Sequence, residues 1–167
     1  MFNFFKKKEQ EPVKSKEVTL YAPADGELIK IEEVNDLVFA EKMMGDGFAV
    51  KPANGTITSP VDGEVTTVFP TQHAVGLLSS SLEVLLHMGI DTVSLDGKPF
   101  TTQVKEKQKL SHNDVVSKMD LAAVKAEEKE TDIVVIFTNG DEVIKSFELT
   151  KTGMVSKGEE VGKVFLK

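Results

Sequence analysis

The sequence predicts an all-β domain, a β-sandwich or barrel with duplicated hairpin motifs and short helical turns. Glycine and proline recur at short intervals from Val18 onward, so only short elements fit between them. The intervening segments are rich in Val, Ile, Thr and Phe, which favour β-strands. Residues 22–28 and 59–65 share the pattern Pro-x-Asp-Gly-Glu, a tight turn that leads into a strand. This echo predicts a doubled hairpin element within one domain.

Seven strands are expected in chain order, each a short apolar run bounded by turn residues: 27–31, 47–50, 64–69, 82–90, 133–138, 142–149 and 163–166. Residues 115–128 have the clearest helical character, and they predict one short helix. A second echo relates residues 110–116 to residues 155–161, since each begins with an apolar residue and Ser and ends in Val. This second echo also favours a doubled hairpin element within one domain.

Composition excludes several classes of function. The 167 residues suit a single domain, and 20 basic against 27 acidic residues give a net charge of −7, which argues against nucleic-acid binding. The absence of cysteine excludes disulfides, thiol catalysis and cysteine-based zinc sites. No apolar run approaches the roughly 18 residues that a membrane helix needs. We therefore expect a cytoplasmic protein.

The N-terminal segment differs in composition from the rest of the chain. Residues 6–17 are rich in charge and poor in apolar side chains, so we expect residues 1–17 to form a flexible leader before a single domain at 18–167. Phenylalanines precede lysines in residues 1–8, the reverse of a secretory signal. Two interpretations of residues 1–8 stay open, a weak contact with a membrane surface or a disordered tail.

Two of the three histidines are expected to lie together. If Ser79–Ser81 form a three-residue hairpin loop, His73 falls directly opposite His87, and opposed residues share one face of a sheet. The other face would be the core, made of Ala74, Gly76, Leu78, Leu82, Val84 and Leu86. The third histidine, His112, lies in a polar turn and is expected to be solvated.

A pair of exposed imidazoles is compatible with three roles. The pair could be structural, or it could bind metal with a third ligand such as Asp36 or Asp91. Alternatively, one ring could be a nucleophile toward phosphorus, because a histidine with a pKa of about 6.5 is largely neutral near pH 7. The second ring would then donate a hydrogen bond to the phosphoryl oxygens. Few basic residues flank either histidine in the sequence.

Four segments resemble one protein family. Residues 85–97, Leu-Leu-His-Met-Gly-Ile-Asp-Thr-Val-Ser-Leu-Asp-Gly, are similar to the phosphorylation-site motif of the glucose-type enzyme IIA of the bacterial phosphoenolpyruvate:sugar phosphotransferase system. Residues 71–74 resemble the motif around that family's second histidine, and residues 38–47 and 59–63 resemble its other characteristic segments. The resemblance runs from Tyr21 to the C-terminus, in the family's order.

The resemblance implies a role for each matching residue. His87 would accept a phosphoryl group from the carrier HPr and pass it to a cysteine in the IIB domain of a sugar permease. His73 would stabilise the phosphoryl group, and Thr71 would orient His73. Two carboxylates, Asp36 and Asp91, would flank the site. At Gly89 the backbone would approach the phosphoryl group closely.

The resemblance also implies an apolar rim that both partner proteins contact: Leu37, Val38, Phe39, Met43, Met44, Phe69 and Leu85. Methionines suit such a surface because their flexible thioethers adapt to unlike partners. No cofactor is required, and zinc would bind His73 and His87 only with a ligand from a partner. Regulatory target proteins are a further class of partner that the resemblance allows.

Two other functions compete with this interpretation. A zinc peptidase of similar doubled β architecture needs a His-x-His pair on one strand, whereas Met88 and Gly89 follow His87. A lipoyl or biotinyl carrier needs a modified lysine at a hairpin tip, for which Lys42 is a near match in the wrong context. The spacing of the motifs favours the phosphocarrier over both.

Overall fold

The computed structural model describes residues 16–167, and its largest element is an antiparallel sheet of eight strands. The fourteen strands of this part of the chain are β1 Glu17–Tyr21, β2 Gly26–Lys30, β3 Gly47–Pro52, β4 Thr56–Thr58, β5 Gly63–Val68, β6 Ala74–Ser79, β7 Leu82–Met88, β8 Phe100–Thr102, β9 Lys109–Leu110, β10 Val115–Met119, β11 Ile133–Phe137, β12 Ile144–Leu149, β13 Gly153–Val155 and β14 Glu160–Leu166. The large sheet has the order β13-β2-β3-β11-β7-β6-β5-β9. Two three-stranded sheets, β1-β14-β12 and β4-β10-β8, complete the fold.

The helices are short. They are α1 Leu37–Ala40, α2 Leu121–Ala126 and α3 Gly140–Val143, with single 3₁₀ turns at Ile31–Glu33 and Thr92–Leu95. The prediction of an all-β fold with short helical turns is confirmed. Among residues 16–167, none of the helices is long and apolar enough to cross a membrane.

Strand β11 organises the centre of the large sheet. It lies between β3 and β7, and all five of its residues are buried, as expected for a strand covered on both faces. Ile133, Val135 and Phe137 belong to the main core, whereas Val134 and Ile136 belong to a smaller core on the opposite face. This smaller core also contains residues from the segment that precedes β3: Ile29, Ile31, Val34 and Phe39.

The helix expected over residues 115–128 is wrong in its first half. Val115–Met119 form β10, which pairs with β4 and β8. The β-branched Val115 and Val116 favour a strand, and Val116 fills the main core. The helix begins only after Asp120, whose carboxylate accepts a hydrogen bond from the backbone N–H of Ala123 at 3.1 Å.

The register expected for the β6–β7 hairpin is also wrong, by one residue. The turn has two residues, Ser80 and Ser81, because Ser79 continues β6 and pairs with Leu82. The Ser79 hydroxyl donates to the carbonyl of Asp62 at 2.7 Å, which accounts for a buried serine in the strand. His87 therefore lies opposite Ala74.

This register changes which side chains of β6 reach the main core. Leu77 is 1% exposed and packs in the main core with Val75, whereas Leu78 is 38% exposed. The core residues expected on β7 are correct: Leu82, Val84 and Leu86 are all buried. The error lies in β6 alone, where the residues expected in that core, Ala74, Gly76 and Leu78, face the other side of the sheet.

Two residues before the expected boundary at Val18 pair with β14. Glu17 opens β1 opposite Phe165, and the backbone N–H of Leu166 donates to the Lys16 carbonyl at 2.7 Å. Pairing with β14 thus includes two charged residues that composition assigns to the leader. The rest of the expected leader, including the membrane-contact segment 1–8, lies outside the described residues.

The register predicts unequal costs for two neighbouring leucines. Leu77→Ala leaves a cavity in the main core and is expected to lower the free energy of unfolding by about 2–5 kcal/mol. Leu78→Ala removes a partly solvated side chain and is expected to cost less than about 1 kcal/mol. Urea unfolding followed by circular dichroism measures both. A larger loss for Leu78→Ala than for Leu77→Ala would contradict the observed register and support the three-residue loop.

Candidate functional site

The rings of His73 and His87 lie together on the smaller-core face of the large sheet. Their centroids are 5.1 Å apart and their planes are inclined at 76°. His87 reaches this face from β7, where it pairs with Ala74 and Val134. His73 reaches it from just before β6, after Gln72 turns the chain with a φ of 59°. His73 precedes the paired residues of β6, so it is not directly opposite His87. Its ring meets that of His87 from the turn before the strand.

The hydrogen bond of His87 defines its tautomer. Its Nδ1 atom lies 2.9 Å from the carbonyl oxygen of Gly89, and a carbonyl can only accept. Nδ1 therefore carries the proton, and Nε2 keeps a free lone pair. Burial and the neighbouring His73 lower the pKa of His87 to about 4, against the opposing effects of the Gly89 carbonyl and Asp36. The ring is neutral at pH 7 and has a nucleophilic nitrogen.

His73 is more enclosed, with 6% of its surface exposed. Its Nδ1 atom lies 2.5 Å from the hydroxyl oxygen of Thr71, a group that can donate or accept. The ring of Phe69 packs edge-on against it, with centroids 5.4 Å apart. Burial lowers the pKa of His73, so this ring is also biased toward its neutral form.

Gly89 supports His87 from behind. Its φ is 78°, and a Cβ atom there would lie 2.4 Å from the Cγ2 atom of Thr92. The carbonyl of Gly89 binds His87, while its N–H donates to the carbonyl of Asp132 at 2.8 Å. The carbonyl of Gly89 thus orients the His87 ring, and its own position is set by the bond from its N–H.

The two expected carboxylates occupy different positions. Asp36 caps α1 by accepting hydrogen bonds from the N–H groups of Val38 and Phe39 at 2.9 and 3.3 Å, and its charge acts on His87. Asp91 is exposed, and its carboxylate accepts a bond from Nζ of Lys129 at 2.8 Å. Few basic residues flank either histidine motif in the sequence, and the cation that pairs with Asp91 comes from Lys129, 38 residues away in the chain.

The expected apolar rim divides into exposed and supporting residues. Leu37 and Met43 are 73% and 72% exposed, and Val38 and Met44 are also exposed. Phe39 is buried and packs edge-on against His87, with centroids 5.0 Å apart. Phe39 thus supports the His87 ring from within the smaller core and has little surface left for a partner, whereas Phe69 and Leu85 are partly buried.

Sequence reasoning missed two residues beside Asp91, the exposed Val93 and the partly buried Lys129. Val93 lies in the 3₁₀ turn after Asp91 and is 48% exposed. An apolar residue in the middle of residues 85–97, the segment that carries the family resemblance, was a sufficient signal for it. Lys129 lies 38 residues from Asp91 in the chain, and no feature of the local sequence points to their pairing.

His112 is not the freely solvated residue that was expected. Its ring stacks on Tyr21 with centroids 3.7 Å apart, and its Nδ1 atom lies 2.9 Å from the Asp62 carboxylate. This stacking links the turn before β10 to the end of β1.

The site offers two imidazoles to a metal. Among residues 16–167, no three side chains of His, Cys, Asp or Glu come close enough together to hold an ion. Neither Asp36 nor Asp91, the candidate third ligands, completes a set with the two histidines.

Comparison with known proteins identifies the family. Residues 18–143 match the family model described as "phosphoenolpyruvate-dependent sugar phosphotransferase system, EIIA 1". The chain belongs to this EIIA family. All the site residues expected from the sequence lie within the matched segment, and the family is a component of a phosphotransferase system.

The relatives of this EIIA chain include both fused and separate proteins. It is 52% identical over 161 residues to the "PTS system glucose-specific EIICBA component" of Streptococcus pneumoniae, covering 95% of this chain and 22% of that protein. It is 46% identical over 162 residues to the "PTS system glucose-specific EIIA component" of Oceanobacillus iheyensis, covering 94% and 93%. A solved structure, glucose permease IIA from Mycoplasma capricolum, superposes with a TM-score of 0.80 at 38% identity, covering 89% and 96%.

The depressed pKa of His87 predicts a loss of stability in mild acid. The unfolded chain binds a proton on this histidine near pH 6.5, whereas the folded chain binds it only near pH 4, so stability falls as pH drops between these values. Between pH 7 and pH 5 the loss from His87 is about 2 kcal/mol. His87→Gln is expected to reduce the pH dependence by that amount in urea unfolding. An unchanged dependence in this variant would contradict the assigned protonation state.

Proposed function

We propose that this EIIA chain is a histidine phosphocarrier that accepts a phosphoryl group from HPr on Nε2 of His87 and passes it to a cysteine in the IIB domain of a sugar permease. The observation that supports this most is the hydrogen bond between Nδ1–H of His87 and the Gly89 carbonyl. It leaves Nε2 unprotonated next to a second neutral imidazole. The reaction belongs to the cytoplasm, and no cofactor takes part in it.

The transfer balances without an added acid or base. The lone pair of Nε2 attacks phosphorus, and the bond between phosphorus and HPr breaks with its electron pair left on HPr. Nδ1 of His87 keeps its proton, so the phosphorylated ring is a cation that faces the phosphoryl dianion. In the second step a IIB thiolate attacks phosphorus, and the electron pair of the P–N bond returns to Nε2.

His73 has the position of a stabilising group. Its ring lies 5.1 Å from that of His87, close enough for a phosphoryl group on His87 to contact it. If the Thr71 hydroxyl donates to Nδ1 of His73, Nε2 of His73 carries the proton and donates to a phosphoryl oxygen. In this arrangement the Thr71 hydroxyl holds the second histidine in the tautomer that can donate to the phosphoryl group.

The charges around the site suit reversible transfer. A carrier must accept and release the phosphoryl group at similar free energy, so strong anion binding would trap it. The sequence contains no arginine, the residue that clamps phosphate most tightly through bidentate bonds. Asp36 adds a negative charge that acts on His87. These features favour a phosphoryl group that leaves readily when an acceptor arrives.

The exposed part of the rim supports docking of both partners. Leu37, Val38, Met43 and Met44 present apolar side chains around α1, next to the residue that packs on His87. Burying them excludes water from the reacting phosphorus, and flexible methionines allow two different partners to fit one surface. The net charge of −7 favours a donor with a basic contact surface.

Labelled phosphoenolpyruvate, with enzyme I and HPr, tests the assignment of the nucleophile. His87→Gln is expected to acquire no label, because its amide has no nucleophilic ring nitrogen. His73→Gln is expected to be labelled but to pass the group to a IIB domain about 100-fold more slowly, having lost one transition-state donor. His112→Gln is the matched control and should behave as wild type. Label at the wild-type level on His87→Gln would refute the proposal.

Thr71→Val tests the tautomer of His73. The substitution keeps the shape of the side chain but removes its hydroxyl, so the expected result is normal labelling of His87 with onward transfer slowed by about 10-fold. Thr71→Ser should restore the rate because it restores the donor. Equal rates for the Val and Ser variants would show that the hydroxyl does not act through His73.

A further inference from the structure

Lys129 forms an ion pair at the edge of the site. Its Nζ atom donates to Oδ2 of Asp91 at 2.8 Å, and its side chain is only 25% exposed. This bond and the charge of Lys129 lower the pKa of Asp91, which keeps the carboxylate ionised. Asp91 itself has a φ of 61°, and its carbonyl accepts a bond from the Ser94 hydroxyl at 3.1 Å. The carboxylate is thus held in one place and already has a cation.

Residues 129–132, here called the bracket, bind the same turn through their backbone. The N–H groups of Gly89 and Ile90 donate to the carbonyls of Asp132 and Glu130 at 2.8 and 3.0 Å. The side chain of Glu130 also accepts a bond from Asn35, the residue before Asp36, at 3.1 Å. The bracket therefore contacts both segments that carry site carboxylates.

The backbone of Lys129 is fixed as well. Its N–H donates to the carbonyl of Val124, a residue of α2, at 3.2 Å. The preceding residue, Glu128, has a φ of 60° and donates to the carbonyl of Lys125. The ammonium group is therefore delivered to Asp91 by an ordered loop, so the ion pair costs less side-chain entropy than a pair between two mobile residues.

The Lys129–Asp91 pair is separate from the contacts of the His87 ring. That ring contacts the Gly89 carbonyl, His73 and Phe39, and the charges that shift its pKa are those of His73 and Asp36. Val93, two residues after Asp91, is 48% exposed. Asp91 itself lies two residues after Gly89, whose carbonyl binds His87, so a partner that covers His87 also approaches this pair.

We propose that Lys129 is a specificity-determining residue: by occupying Asp91, it withholds one carboxylate from the cationic side chains of a docking partner. A partner binds this side of the site tightly only if its own cation displaces Lys129 or shares Asp91 with it. The inference rests on the proposed function, since it concerns the partners of the same site. Lys129 thus competes with the basic side chains of a partner for the Asp91 carboxylate.

The sign of the effect follows from charge. Replacing Lys129 with Gln frees Asp91 and changes the net charge from −7 to −8. Both changes strengthen attraction to a basic donor, and such attraction is screened by salt. Because the pair does not act on His87, the chemical step should be unaffected. Lys129→Gln should therefore lower KM for phosphorylated HPr and leave kcat unchanged.

The test is a double-mutant cycle with Lys129→Gln and Asp91→Asn, assayed as phosphoryl transfer from phosphorylated HPr to the full chain. At low ionic strength, Lys129→Gln is expected to lower KM by about two- to five-fold, and the change should vanish at 0.5 M salt, chosen to screen the charges. In the Asp91→Asn background, Lys129→Gln should have no effect on KM. Lys163→Gln is the control, because it makes the same charge change at an ion pair with Glu17 in the sheet β1-β14-β12.

Each outcome decides between the proposals. An unchanged or raised KM in Lys129→Gln would overturn the role of Lys129 alone, as would an equal gain in Lys163→Gln or a gain that persists without Asp91. A fall in kcat would also overturn it, since it would place Lys129 in the chemical step. If HPr does not phosphorylate the wild-type chain, both proposals fail.

Discussion

The site depends on one hydrogen bond, from Nδ1–H of His87 to the carbonyl of Gly89. A carbonyl cannot donate, so this contact fixes which nitrogen holds the proton and which is free to react. The carbonyl is itself fixed, because the N–H of Gly89 is bonded to Asp132 and its φ of 78° suits glycine. The chemistry of His87 is thus set by backbone geometry, which tolerates less variation than a side-chain partner would.

The two faces of the large sheet carry different cores, and only one of these cores supports the histidines. The main core on one face supplies the stability of the domain through residues such as Leu77 and Val135. The smaller core on the other face buries Phe39 beneath the ring of His87 and leaves the outer residues of α1 exposed. Burial by this second core keeps both imidazoles neutral near pH 7, while the rim around them remains accessible to a partner.

Sequence patterns predicted the fold class and the pair of histidines, but not the way in which they meet. Strand composition and the repeated Asp-Gly turns were sufficient for an all-β fold. The register of the β6–β7 hairpin was missed because Ser79 continues β6 instead of entering the turn, and its hydroxyl is satisfied by Asp62, 17 positions away in the chain. His73 lies just before the paired part of β6, and its ring therefore still reaches that of His87 despite the shifted register. Lys129 could not be foreseen, since only the folded chain places it at Asp91.

The central claim is that His87 is a neutral ring protonated on Nδ1 and not on Nε2. Nitrogen-15 NMR of the imidazole groups at pH 7 tests it most directly, because protonated and unprotonated ring nitrogens resonate in separate regions of the spectrum. A protonated signal is expected for Nδ1 of His87 and an unprotonated signal for Nε2. A protonated Nε2, or a ring that carries both protons at pH 7, would contradict it.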